Sequence, residues 1–125
     1  MKDTTPIIMI ILTLMIISTP EKQPIQLREY NNQICYDGDT CYITYKGKEE
    51  RLRIKGIDTP EIRETNGYKA REYTNKILRE ATNITYKNIE RDLYDRVLAE
   101  VYVNGVNIAD MLIEKNLGRK WIRYD

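Results

Sequence analysis

The hydrophobic positions of the chain fall into three regimes. An unbroken apolar run, PIIMIILTLMI, fills residues 6–16 and continues through Ile17. Alternating apolar and polar residues follow in QICY, in TCYITYKG and in RLRIKGID. A two-residue period of this kind marks half-buried strands. In the third of these stretches Leu52 and Ile54 lie on one face, and Arg51, Arg53 and Lys55 on the other. Lys46-Gly47-Lys48 marks a turn, and Pro60 stops the strand that precedes it. Residues 20–29 read as a linker into this region.

The period then changes. Ala70, Tyr73, Ile77 and Ala81 recur at helical spacing, with Leu78 beside them, which predicts a helix over 67–81 with Asn66 as its N-cap. NITYKNI predicts a fourth strand, and RVLAEVYV a fifth that Asn104-Gly105 closes. Asn107, with Asp110 three residues on, resembles a capping box opening a helix over 108–115. Asn116 tolerates the left-handed region and is expected to end that helix. Three strands, a helix, two strands and a helix predict an α+β fold, a five-stranded Greek-key barrel of the OB type with two helices.

The first regime stands apart. About eleven apolar residues is roughly half of what a bilayer-spanning helix needs. The length suits the core of a signal peptide, over residues 1–19, or a retained anchor through residues 6–18. A buried N-terminal strand or helix is the alternative, against which the uniform apolarity argues. The expected location is secreted or extracytoplasmic, free or membrane-anchored.

Composition removes several chemistries. The formal charge is +1, so broad non-specific clinging to nucleic acid is not expected. There is no histidine, and the only serine is Ser18. A Ser-His-Asp triad, a histidine base and a histidine-bound metal are excluded. Two cysteines cannot build a four-cysteine zinc site. The working groups of any enzyme here are Asp, Glu, Arg, Lys, Tyr or Thr, a set that suits a hard, oxygen-seeking cation.

Four short segments then gain weight together: DGDT (37–40), RLRIKG (51–56), IDTPE (57–61) and DLYDRVLA (92–99). Each alone reads as a turn, a solvated strand face or a strand end. In this order and spacing they resemble the staphylococcal nuclease (thermonuclease) family, over roughly residues 30–118. The resemblance implies calcium held by Asp39, Asp58 and the backbone carbonyl of Thr59. It implies Arg53 and Arg96 on the scissile phosphate, Glu61 activating water, Tyr94 contacting a phosphate and Asp37 supporting Asp39 from behind. The implied activity is phosphodiester hydrolysis of DNA and RNA, single-stranded or frayed, by a monomer. The alternative is a non-catalytic OB-fold domain that binds single-stranded nucleic acid or a protein partner. A third reading is a structural domain of the cell envelope.

Three departures from the family pattern are visible. Asp95 stands where the pattern has a glycine before the second arginine, and Leu93 where it has a lysine. The chain ends at Asp125, so the family's further C-terminal helix is not expected. Trp121 and Tyr124 are expected to pack in the core or at its edge, with base stacking as the alternative. Finally, Cys35 and Cys41 lie equally far from Gly38. A hairpin pairing about Gly38 brings them face to face, and in an exported chain this invites a disulfide. The alternative is two free, half-buried thiols.

Overall fold

The computed structural model describes residues 23–122. The apolar run of residues 6–17, with its signal or anchor reading, and Tyr124 lie outside the described residues. Among the described residues no helix is long and apolar enough to cross a membrane.

The elements follow in the order β1 (Ile25–Leu27), β2 (Thr40–Tyr45), β3 (Lys48–Ile54), β4 (Ile57–Asp58), α1 (Gly67–Glu80), β5 (Ile84–Arg91), β6 (Val97–Val103), β7 (Val106–Asn107), α2 (Ile108–Glu114) and β8 (Arg119–Lys120). The main sheet has the order β1-β2-β3-β6-β5, with β7 paired to β6; β4 and β8 form a second, two-stranded sheet. β2 and β3 are antiparallel, whereas β3 and β6 run parallel with Leu52 opposite Val97 and Arg53 opposite Leu98. The curled mixed sheet with two helices is the α+β, OB-type fold that the pattern predicts.

The core lies between the concave face of the sheet and the helices. Ile25, Ile43, Leu52, Ile54, Ile57 and Leu112 are fully enclosed there. Each such side chain contributes roughly 1.5–3 kcal/mol relative to exposure. Alternation explains β2 and β6, whose core-facing residues are Cys41, Ile43, Val97, Ala99, Val101 and Val103. Asn107 caps α2 by accepting a hydrogen bond from the Ala109 N–H at 2.9 Å. Asn116 follows α2 at φ 56°, the left-handed position expected of it.

Four local expectations are corrected. Ile25–Leu27, within the segment read as a linker, form β1 and pair with Ile43–Tyr45. Gln33–Tyr36 form no continuous strand; Cys35 makes an isolated bridge to Cys41. Asn66 precedes α1 at φ 67° and makes no side-chain cap. The fully buried stripe of α1 is Ala70, Thr74 and Leu78 with Asn75 beside it, while Tyr73, Ile77 and Ala81 are only partly buried. The last correction matters for the site. The helix turns a polar pair inward because two backbone segments beneath it need hydrogen-bond partners.

Candidate functional site

The Cys35–Cys41 segment is held at three levels. A disulfide joins the two cysteines. Tyr36 N donates to the Thr40 carbonyl at 2.8 Å, closing the bend between them. From above, α1 clamps the same segment. The Asn75 carboxamide accepts from Ile34 N at 2.7 Å and Cys35 N at 3.0 Å, and its Nδ2 donates to the Cys35 carbonyl at 3.2 Å. Thr74 Oγ1 donates to the Gly38 carbonyl at 2.8 Å. Gly38 is required by close approach. A Cβ there would lie 2.7 Å from Thr59 Cγ2 and 2.9 Å from Ala70 Cβ.

This clamped bend presents two buried carboxylates. Asp37 folds back on the bend and accepts from Asp39 N at 3.1 Å and Thr40 N at 2.9 Å. Asp39 reaches across to the end of β4, where its Oδ2 accepts from Thr59 N at 2.8 Å. Thr59 Oγ1 is buried beside it without a hydrogen-bond partner.

Arg53 joins the two ends. The alternation of β3 places it on the outer face, yet it is only 8% exposed. Burying a guanidinium requires that its donors be met. Nη1 donates to the carbonyls of Ile54 at 2.6 Å and Ile57 at 2.7 Å. Nη2 lies 3.5 Å from Asp39 Oδ2 and 3.9 Å from Asp58 Oδ1. The Trp121 ring covers the guanidinium, centred 5.3 Å from its carbon. Trp121 is half-buried and packs on Arg53. Arg119 grips the outer side of Asp58, with Nε and Nη2 both 3.1 Å from Oδ2.

Beside this cage opens a cleft of about 600 Å³, whose walls include Asp58, Thr59, Glu61, Glu64, Gly118 and Arg119. Glu61 is exposed and sits in a tight turn, where its N–H donates to Glu64 Oε1 at 2.9 Å. Gly67 permits the turn to dock on α1, because a Cβ there would lie 2.1 Å from the Glu61 carbonyl oxygen. Burial, then Asp39, then the more distant Glu61 push the Asp37 carboxyl up to about 7. Asp37, Asp39, Asp58, Glu61 and Glu64 outnumber Arg53 and Arg119 around the bend and the cleft.

The remaining predicted residues lie elsewhere. Arg96 and Tyr94, with Arg51, line a separate cleft of about 460 Å³ on the β5–β6 connection. Arg96 Nε donates to Asp92 Oδ2 at 2.7 Å, and Asp92 Oδ1 accepts from the N–H groups of Tyr94 and Arg96, each at 2.9 Å. Burial pushes the Asp92 carboxyl up, but these bonds and the Arg96 charge outweigh it and hold its pKa below the usual value. Asp95 takes the backbone angle that the family's glycine suggests, at φ 61°. Its carboxylate lies 4.0 Å from Arg91 Nε rather than on Arg96. The partner that orients Arg96 is thus Asp92, four residues before it.

The sequence matches known proteins over about two thirds of the chain. The family model described as "Staphylococcal nuclease homologue" matches residues 51–125. The chain belongs to this family. It is 34% identical over 91 residues to endonuclease YncB of Bacillus subtilis, covering 66% of this chain and 43% of that protein. It is 35% identical over 91 residues to the SPbeta prophage-derived endonuclease YokF of the same organism, covering 66% and 31%. To the thermonuclease of Staphylococcus hyicus it is 32% identical over 90 residues, covering 66% and 53%. The chain thus spans about a third to a half of the length of these relatives.

Sequence reasoning missed Thr74, Asn75, Asp92 and Arg119. Asp92 was legible as an acid placed to accept from the N–H groups two and four residues on, a local turn motif. Thr74 and Asn75 were legible only as polar residues on an otherwise apolar helical face. Arg119 carried no signal, since its partner lies 61 residues away.

The donor set fits a divalent cation. Asp39 and Asp58 converge within 4 Å of one atom, Arg53 Nη2. Both are oxygen donors, as a hard cation requires, and the surrounding charge is acidic. Among the described residues no three Asp, Glu, Cys or His side chains form a complete metal cluster. A cation here would complete its coordination with backbone oxygen, water and substrate.

Proposed function

We propose that the chain is a calcium-dependent nuclease that hydrolyses phosphodiester bonds of DNA and RNA. The observation that carries this reading is the convergence of Asp39 and Asp58 on Arg53, beside the Glu61-lined cleft. Asp39, Asp58 and the Thr59 carbonyl would hold the calcium ion. The bound ion would supply charge stabilisation to a phosphate oxygen. Glu61, an exposed carboxylate of the cleft beside the cage, would take a proton from the attacking water, in a chain that has no histidine to do so. Arg96, and Arg53 through the Nη2 edge that faces Asp39 and Asp58, would donate to the phosphoryl oxygens as negative charge develops on them. Because Asp92 engages Arg96 through Nε, the two Nη groups remain for phosphate. The Tyr94 hydroxyl supplies a further donor.

The same reading places the chain in an oxidising, extracytoplasmic compartment, where a disulfide such as Cys35–Cys41 persists. Residues 1–19 would serve as its signal, or residues 6–18 as its tether.

The test is incubation of the full chain with single-stranded DNA, in calcium and then in excess chelator. Cleavage in calcium that stops on chelation is expected. Binding without cleavage in either condition, by a folded sample, would favour a non-catalytic OB domain.

A further inference from the structure

The outer face of the sheet continues away from the cage along β2 and β3. Tyr42 and Arg51 are direct cross-strand partners there, two residues along from the Thr40–Arg53 pair. Tyr30, 58% exposed, packs its ring on Tyr42 with centroids 5.4 Å apart. Arg51 is exposed, and its guanidinium has no partner among the described residues. It lines two clefts at once. One, of about 350 Å³, is walled by Arg28, Tyr30 and Tyr42; the other is the cleft of Tyr94 and Arg96. Glu49 and Glu50 also line the first cleft, and both are engaged, Glu49 by Arg28 at 3.5 Å and Glu50 by Arg91.

The face thus carries an exposed tyrosine ring packed on a half-buried one, beside an unpartnered arginine. It suits a single strand of nucleic acid, which offers a base to stack and a phosphate to bind. The face formed by the central strands is also where OB folds take oligonucleotides. Continuity decides the occupant, since Arg51 links this surface to the arginine and tyrosine assigned above to the substrate phosphate. We propose that Tyr30, Tyr42 and Arg51 form an accessory subsite, which holds a nucleotide flanking the phosphate at Arg96 and Tyr94. This rests on the nuclease reading of the cage.

The test compares kcat/KM of the full chain on a thymidine 12-mer and on a thymidine dinucleotide, in calcium, for wild type, Tyr30→Ala and Arg51→Gln. The preference for the 12-mer should fall about tenfold in each variant, mainly through KM, as expected for the loss of one stacked base or one phosphate contact. A preference within twofold of wild type, with both substrates cleaved, overturns the subsite and leaves the nuclease intact. If wild type cleaves neither, the nuclease reading fails, and anisotropy of a labelled 12-mer decides the subsite alone. Binding that Arg51→Gln weakens about tenfold supports it; no binding, or binding that the variant leaves unchanged, overturns it. Preferential binding of an acidic peptide over the 12-mer would also overturn it. Tyr30 and Arg51 are both exposed, so neither substitution opens the core.

Discussion

The two halves of the candidate site are built in opposite ways. Around Asp39, residues from the 35–41 bend, β3, β4, α1 and β8 meet; Asp37, Asp39 and Arg53 are buried, and local bonds are joined there by contacts from segments distant in sequence, Asp39 to Thr59 and Asp58 to Arg119. Around Arg96, one loop does the work: among the described residues the hydrogen bonds that orient the arginine's Nε and N–H go to Asp92, four residues away, and the Tyr94 ring lies against its guanidinium. The first region is rigid by construction and suits ligands whose geometry must be set before substrate arrives. The second is local and exposed, and suits a group that adjusts to a phosphate. Preorganised charge supplies much of the rate in phosphoryl transfer, so the cage is where substitutions should cost most.

The largest effect is expected at the mouth of the cage. Glu61→Gln should lower kcat on the order of 100- to 10,000-fold with oligonucleotide binding largely retained. A loss of only a few-fold would move the base elsewhere. Next comes Arg53→Gln, which should reduce kcat on the order of 100- to 1,000-fold. It should also lower the thermal midpoint, since Asp39 and Asp58 would face each other without a cation; adding calcium should restore part of that loss. Asn75→Ala tests whether the clamp from α1 matters to the cage. It strands the N–H groups of Ile34 and Cys35, so urea unfolding should show a loss of about 2–4 kcal/mol.

Asp37 gives the comparison a pH signature. Its carboxyl is raised from 3.8 to about 7 in the folded chain, so the folded state holds that proton more tightly than the unfolded state. Its contribution to stability is complete below about pH 4 and is lost as pH rises through about 7. In calcium-free buffer, Asp37→Asn should therefore flatten the fall in stability between those limits, as thermal midpoints across pH would record. The smallest effect belongs to the second region. Asp92→Asn removes a partly exposed ion pair and should cost ~1 kcal/mol or less, with a larger effect on KM than on stability. A loss comparable to that of Asn75→Ala would erase the distinction between the two regions.

How much of this was legible in the sequence depended on where the partners lie. Strands β2, β3, β5 and β6 and both helices follow from hydrophobic period, because alternation and helical spacing report burial directly. β1 was missed because three residues between prolines and charges carry too short a pattern. Asp39, Asp58 and Glu61 were visible through motif spacing, and the structure brings them to one cage and its cleft. Arg53 was placed on β3 correctly but on a solvated face, since alternation cannot show that the 39–40 and 57–59 segments and Trp121 close over it. Thr74 and Asn75 broke the helical pattern for the reason such breaks often arise, namely buried backbone that needed partners. The pairing of Cys35 with Cys41 was readable because both partners sit in one short bend.

The central claim is that the Asp39–Asp58 cage binds the metal that the nuclease requires. Trp121 is the only tryptophan in the chain and lies against Arg53, so its emission reports on the cage directly. The decisive measurement is a calcium titration of wild type and Asp39→Asn, following Trp121 fluorescence and cleavage of single-stranded DNA in the same samples. The account predicts a saturable fluorescence change in wild type, at the calcium concentrations that switch on cleavage, with both lost in Asp39→Asn. Cleavage that proceeds in chelator, or that survives Asp39→Asn with its calcium dependence unchanged, would contradict it.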